Sequence, residues 1–179
     1  MSSQSSDNLT KKAGSKAMKS TLKIGVVQQS VGSNNKLENW TKSAQRVKQL
    51  AADGCECILL QELHSTLYFC QQEDVDAFDL AEPIPGDATV YFGELAASLN
   101  IVLITSLFEK RGSGLYHNTA VVFDRSKEIA GKYRKMHIPD DPGFHEKFYF
   151  TPGDIGFEPV QTSVGKLGVL VCWDQWYPE

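Results

Sequence analysis

Hydrophobic and polar positions follow two different periods along the chain, and the order of these periods predicts an alternating series of strands and helices. Residues 23–29 are rich in β-branched side chains and predict a first strand. Between residues 35 and 53, apolar positions recur every three or four residues, which predicts a helix that Gly54 ends. The apolar run at residues 57–60 predicts a second strand, so this part of the chain indicates a parallel βαβ unit.

The middle of the chain predicts a second helix and three consecutive strands of one sheet. The helix begins at Asp87 or Thr89 and ends near Leu99. Strands follow at residues 101–108, 116–123 and 128–133, with a Gly/Ser turn at residues 111–114. Residues 64–86 and 134–152 are predicted to be long loops, which are more often functional than accidental in a compact domain.

The last part of the chain predicts a hairpin over residues 162–172 that turns near Gly165 and Lys166. Its outgoing strand, GVLV at residues 168–171, is apolar enough to be buried. Cys172 would then stand at the end of that strand, a position where ligands of α/β proteins gather.

Composition narrows the class of protein. A length of 179 residues with 41% hydrophobic and 22% charged residues is typical of one globular domain, and no apolar run is long enough for a membrane span. The net charge of −4 argues against a nucleic-acid partner and favours a small molecule or another protein. The polar residues 1–21 are predicted to be a mobile tail.

The four cysteines have spacings that fit neither a zinc site nor a small disulfide framework, which indicates free thiols in the reducing cytoplasm. They are Cys55, Cys57, Cys70 and Cys172.

Three chemically useful side chains follow strand-like segments: Glu62, Lys135 and Cys172. An ordinary thiol is only a few per cent ionised at neutral pH, so Cys172 needs a base or a positive charge nearby to act as a nucleophile. Taken singly, the Glu and the Lys are more often solvated rim residues and the Cys a buried thiol. Four histidines are further candidates for the base, and one of them, His117, is predicted to be structural because it alternates with apolar positions. The other three are His64, His137 and His145.

Three separate stretches carry a resemblance to a known family. They are QE at residues 61–62, KYRKMHIP at residues 132–139 and GVLVCWD at residues 168–174. In that order they resemble the signature stretches of the nitrilase superfamily of carbon–nitrogen hydrolases. The resemblance implies that Glu62 is the general base, that Lys135 and the backbone N–H of Trp173 stabilise the oxyanion, and that Cys172 is the nucleophile. It also implies an α/β fold of the α+β type, a four-layer α-β-β-α sandwich that is incomplete here.

Two further stretches are similar to the N-carbamoylputrescine amidohydrolase branch of that family: HEKFYFTPGD at residues 145–154 and DQWYPE at residues 174–179. This likeness implies a ureido substrate, no cofactor and no metal, with Glu146 as a second pocket glutamate and Tyr68 on the pocket wall. A loop salt bridge of Glu146 with Lys147 or Lys135 is the alternative role. A β-ureidopropionase-like substrate or an ω-amide is the alternative substrate. Three aspartates rank lower as contacts for a cationic substrate tail, namely Asp140, Asp141 and Asp174.

The resemblance implies a subunit with a sandwich fold of roughly 250 to 300 residues, which is in the upper size range of single domains. The resemblance therefore implies that residues 22–179 are the N-terminal portion of the domain and that the chain is C-terminally truncated. Core faces would then be exposed and would promote association between chains, so a homo-oligomer is expected. Two hypotheses follow, a thiol amidohydrolase and a catalytically silent form that binds full-length partners through a shared oligomer interface.

Overall fold

A computed structural model describes residues 21–178 of the chain, so the predicted mobile tail lies outside the described residues except for Thr21. The elements run in chain order as β1 (Ile24–Val26), α1 (Lys36–Ala52), β2 (Cys57–Leu59), a 3-10 helix (Val75–Leu80), α2 (Asp87–Leu99), β3 (Val102–Gly112), β4 (Leu115–Asp124), β5 (Ile129–Arg134), α3 (Glu146–Tyr149), β6 (Val160–Thr162), β7 (Gly165–Leu167) and a second 3-10 helix (Cys172–Trp176).

Five strands form one sheet in the order β1-β2-β3-β4-β5. β1, β2 and β3 pair in parallel, and β4 is antiparallel to both β3 and β5. The predicted βαβ unit and the three consecutive strands are both confirmed. Because β5 runs in the same direction as β2, the chain segments that follow these two strands leave the same edge of the sheet.

The two long helices cover one face of the sheet. The Asn35 side chain accepts a hydrogen bond from the Glu38 N–H at 3.2 Å and caps α1, while Gly54 follows the helix with a φ of +87°. Trp40 and Val47 of α1 pack with Phe92 of α2 against this face, so the apolar stripe of the first helix is packing surface, as predicted.

The opposite face is only partly covered. The β6–β7 hairpin and Val169 pack against its centre, where Val102, Ile104 and Val122 lie. Toward β1 the same face is open, since Val26 and Leu170 remain 62% and 53% exposed. This open edge also includes Ile24 and Leu59.

The predicted buried strand at residues 168–171 is wrong. The hairpin turns at residues 163–164, β7 ends at Leu167, and the GVLV segment is extended but unpaired, with Leu170 exposed. A strand needs a neighbouring strand for its backbone groups, and none pairs with this segment among residues 21–178. Cys172 therefore does not end a strand but begins a 3-10 helix.

Within the described part of the chain, none of the helices has the length and apolar character needed to span a membrane.

Candidate active site

Glu62, Lys135 and Cys172 meet at one edge of the five-stranded sheet. Glu62 lies three residues after the end of β2, and Lys135 directly follows β5. Cys172 follows the extended GVLV segment and has a φ of +50°, a left-handed conformation that is uncommon for a residue other than glycine. The fold thus brings together residues that are 73 positions apart (Glu62 and Lys135) and 37 positions apart (Lys135 and Cys172) in the sequence.

Lys135 lies between two carboxylates. Its Nζ donates to Glu62 Oε1 at 2.9 Å and to Glu146 Oε2 at 2.6 Å. The side chains of Lys135 and Glu146 are 0% and 1% exposed, whereas that of Glu62 is 25% exposed. Burial by itself lowers the pKa of Lys135, but the charges and hydrogen bonds of the two carboxylates outweigh burial, so the pKa is raised and the ammonium stays charged.

The backbone around Lys135 is held on both sides. The Lys135 N–H donates to the Asn118 carbonyl at 2.8 Å, and the Lys135 carbonyl accepts from the Gly153 N–H at 2.9 Å. A Cβ at Gly153 would lie 2.0 Å from the Arg134 carbonyl oxygen, so only glycine allows this close approach. The buried Arg134 guanidinium also bonds Glu109 through two nitrogens at 2.7 Å each, which ties the end of β5 to β3.

The Cys172 thiol and the Glu62 carboxylate border the same cavity. Burial and the negative charge of Glu62 raise the pKa of Cys172 to about 11, although Lys135 acts in the opposite direction. The thiol therefore carries its proton at neutral pH, and a nearby base has to remove that proton during the attack itself.

Glu146 occupies the first turn of α3 and completes a buried polar cluster. Its Oε1 accepts from the Tyr68 hydroxyl at 2.9 Å, while its Oε2 accepts from Lys135. Burial raises the pKa of Glu146 above its ordinary value, because one ammonium is shared by two carboxylates and cannot offset the desolvation. Of the two alternatives weighed for Glu146, the structure contains the ion pair with Lys135.

Asp174 is a structural residue rather than a pocket contact. It is buried, and its carboxylate accepts from the Val171 N–H at 3.0 Å and from the His137 N–H at 2.9 Å. His137 Nδ1 lies 2.8 Å from the same carboxylate. These bonds connect two segments of the chain, namely the turn that contains Cys172 and the loop that follows Lys135. The turn is thus held in place by hydrogen bonds to Asp174 and not by pairing with a neighbouring strand.

The remaining predicted residues divide between the rim and the interior. Trp173 lies in the Cys172 turn, and its indole N–H donates to the Tyr177 hydroxyl at 3.1 Å. Asp140 and Asp141 are exposed. His117 is buried with Nδ1 2.9 Å from the Thr151 carbonyl oxygen, so the prediction of a structural histidine is confirmed.

Sequence reasoning missed two polar residues of the sheet that contact the Glu62 segment. Asn118 Nδ2 on β4 donates to Glu62 Oε1 at 2.7 Å. Ser106 Oγ on β3 accepts from the Leu63 N–H at 3.1 Å. The available signal was a buried asparagine in an otherwise apolar strand, since such a side chain needs hydrogen-bond partners.

Two cavities meet at Glu62. One, of about 350 Å³, is bordered by Glu62, Cys172 and the apolar side chains near the open edge of the sheet. The other, of about 510 Å³, is bordered by Glu62 and Tyr68. Glu62 and Cys172 therefore adjoin space that a small molecule can enter, whereas Lys135 lies behind them as a fully buried side chain.

Metal ligation is not a feature of this cluster. Across residues 21–178, no group of three or more His, Cys, Asp or Glu side chains is arranged to hold a metal ion.

Comparison with known proteins identifies relatives for most of the chain. The carbon-nitrogen hydrolase family profile matches residues 23–179. A citrullinase of Francisella tularensis subsp. tularensis is 43% identical over 159 residues, which are 88% of this chain and 55% of the relative. An N-carbamoylputrescine amidase of Oryza sativa subsp. japonica is 41% identical over 143 residues, which are 79% of this chain and 47% of the relative.

A solved structure shares the architecture. The crystal structure of a carbon-nitrogen hydrolase from Helicobacter pylori G27 superimposes with a TM-score of 0.82 at 53% sequence identity, over 88% of this chain and 54% of that one. The chain thus spans about half the length of the relatives it matches. The expected mixed α/β fold is confirmed, and the chain belongs to the carbon-nitrogen hydrolase family of the nitrilase superfamily.

Proposed function

We propose that the chain carries the catalytic groups of a thiol-dependent amidohydrolase that cleaves a ureido C–N bond, with N-carbamoylputrescine as substrate. One observation carries the proposal: Lys135 bonds Glu62 at 2.9 Å, and the Glu62 carboxylate borders the same cavity as the Cys172 thiol. A base, a cation and a nucleophile gathered at one cavity form the minimal set for nucleophilic acyl transfer.

The first half-reaction forms a covalent adduct. Cys172 attacks the ureido carbon as Glu62 takes the thiol proton, which removes the need for a thiolate in the free protein. Lys135, together with the backbone N–H of Trp173, stabilises the oxyanion, and one donor of this kind is worth roughly 3 to 4 kcal/mol. Protonated by Glu62, the terminal amino group leaves as ammonia, and a carbamoyl thioester remains on Cys172.

The second half-reaction releases the product. Glu62 removes a proton from water, the hydroxide attacks the thioester carbon, and the C–S bond breaks with return of the proton to the sulfur. The freed carbamate loses carbon dioxide and gives the amine, so one ureido compound and one water yield putrescine, ammonia and carbon dioxide.

The acidic character of the cleft supports a cationic substrate. Glu62 and Glu146 share the one ammonium of Lys135, so this cluster carries a net negative charge when both carboxylates are ionised. The aminobutyl ammonium of N-carbamoylputrescine complements that charge, and Tyr68 lies on the wall of the adjoining cavity.

Citrulline is a second candidate substrate. The citrullinase of Francisella tularensis is as similar to this chain as the N-carbamoylputrescine amidase is. Citrulline carries the same ureido group, but it also carries a carboxylate that the negative cluster would repel. We therefore rank it below N-carbamoylputrescine.

Ammonia release by the purified 179-residue chain tests the proposal. With N-carbamoylputrescine, the wild type is expected to release ammonia and putrescine in equal amounts, and Cys172→Ala is expected to release neither. Cys55→Ala is the matched control, because it removes a buried thiol from the core beneath the helices and should keep the activity. Faster turnover of citrulline would reverse the ranking of substrates.

Equal inactivity of the wild type and Cys172→Ala, with both folded by circular dichroism, would reject the enzyme proposal for this chain. The alternative of a silent, associating form would then be favoured by the exposed apolar edge that includes Val26 and Leu170. Size-exclusion chromatography with light scattering would measure that association.

A further inference from the structure

Asn118 is the one buried asparagine of β4, and its side chain links the sheet interior to the proposed base. It is 0% exposed. Its Nδ2 donates to Glu62 Oε1 at 2.7 Å, and its Oδ1 lies 3.2 Å from Ser106 Oγ. A carboxylate can only accept, so the amide nitrogen must face Glu62 and the amide oxygen must face Ser106.

Ser106 fixes this orientation. The Leu63 N–H donates to Ser106 Oγ at 3.1 Å, so the hydroxyl proton is free to point at the Asn118 amide oxygen. These hydrogen bonds form a closed network. The backbone next to Glu62 orients Ser106, Ser106 orients Asn118, and Asn118 donates to the Glu62 carboxylate.

The same asparagine also holds the proposed cation. The Asn118 carbonyl accepts from the Lys135 N–H at 2.8 Å, so its backbone positions Lys135 while its side chain positions Glu62. Both donors to Glu62, the amide of Asn118 and the ammonium of Lys135, bond Oε1. Both bonds therefore hold the same carboxylate oxygen, and neither of them uses Oε2.

We propose that Asn118, oriented by Ser106, is a positioning residue that holds the Glu62 carboxylate in the orientation needed to take the proton of Cys172. This inference rests on the proposed function for the role of Glu62 as a base, but the contact between Asn118 and Glu62 does not. A hydrogen bond from a buried amide to a carboxylate fixes the position of the carboxylate.

Asn118→Leu removes none of the other charged and titratable groups around Glu62. They are Lys135, Glu146, Cys172, Tyr68 and Cys70. An effect of an Asn118 substitution on Glu62 is therefore attributable to the lost amide donor.

The test is a carboxyl ¹³C NMR spectrum of glutamate-labelled protein at pH 7, with the Glu62 signal assigned by its absence in Glu62→Gln. In Asn118→Leu, which keeps the side-chain size, the chemical shift of the Glu62 carboxyl should change, because Oε1 loses the amide donor at 2.7 Å. Asn39→Leu is the matched control: Asn39 is also buried, but its amide donates to the carbonyls of Ser33 and Ser65. The control should leave the Glu62 signal in place.

Ser106→Ala keeps the test decisive if Asn118→Leu does not fold. It leaves the Asn118 amide present but unoriented, so the Glu62 carboxyl signal should move in the same direction by a smaller amount. An unchanged Glu62 signal in a folded Asn118→Leu, or in Ser106→Ala if only that variant folds, would overturn the proposal.

Turnover supplies a second and separable reading. With N-carbamoylputrescine, Asn118→Leu should lower kcat about tenfold with little change in KM, because the base is misaligned while the pocket is intact. If the wild type has no turnover, the proposed function fails, whereas the NMR signal of Glu62 still decides the role of Asn118.

Discussion

Replacement of Lys135 by methionine should destabilise the protein strongly and in a pH-dependent way. Lys135 is completely buried and bonds two carboxylates, at 2.6 Å to Glu146 and at 2.9 Å to Glu62. Lys135→Met fills nearly the same volume but leaves Glu146, which is 1% exposed, as a buried charge without a cation. Removal of one partner from a buried ion pair typically costs 3 to 5 kcal/mol, so we expect a loss of about 4 kcal/mol in the free energy of unfolding at pH 8.

The loss should shrink as the pH falls. Burial already raises the pKa of Glu146, and removal of Lys135 raises it further. In the variant, the folded state then binds a proton at Glu146 at a pH where the unfolded state does not, so its stability relative to wild type increases from pH 8 to pH 5. Groups outside the Lys135 cluster titrate alike in both proteins and cancel in the difference.

Urea unfolding followed by circular dichroism at pH 8 and pH 5 measures both effects. The double variant Lys135→Met/Glu146→Gln removes the buried charge together with its partner and should recover most of the loss at pH 8. Glu146→Gln alone is the control, since it keeps the bond of Lys135 to Glu62. A loss below about 1 kcal/mol at pH 8, or an equal loss at both pH values, would refute the reasoning.

Three further predictions concern other groups. Burial lowers the pKa of His64 to about 4, below its ordinary 6.5, so the unfolded state binds its proton first as the pH falls and the wild type should lose about 2 kcal/mol between pH 7 and pH 5. His64→Gln should lack that part of the loss in urea unfolding. With a pKa of about 11, against 9.0 for an unperturbed thiol, Cys172 should react with iodoacetamide at pH 7.5 roughly 100 times more slowly than a free cysteine peptide, and comparable rates would contradict the effect of burial and of the Glu62 charge on the thiol. Asp174→Ala should raise amide hydrogen exchange at Val171 and His137 at least tenfold, because each N–H loses its acceptor; unchanged exchange there would show that other contacts hold the turn.

Local pattern was sufficient for most of the secondary structure. The three- and four-residue spacing that ends at Gly54 located α1 within one residue at either end, since Asn35 is its cap and Ala52 its last residue. The strand pairs were predictable from the connections between them. Two strands joined by a helix pair in parallel, and two strands joined by a short turn pair in antiparallel fashion. The segment at residues 168–171 failed the same reasoning, because burial of an apolar run depends on neighbours that its own sequence does not contain.

The sequence by itself determined the family, through three stretches that bring Glu62, Lys135 and Cys172 into a recognisable order. Only the tertiary structure decided how these groups are bonded, because contacts across 73 and 56 residues have no local signature. It placed Lys135 between two carboxylates, gave Asn118 and Asp174 their partners, and set the direction of the pKa shift at Cys172. The physical reason is that charge interactions and desolvation depend on distance and burial, which the fold sets and residue order does not.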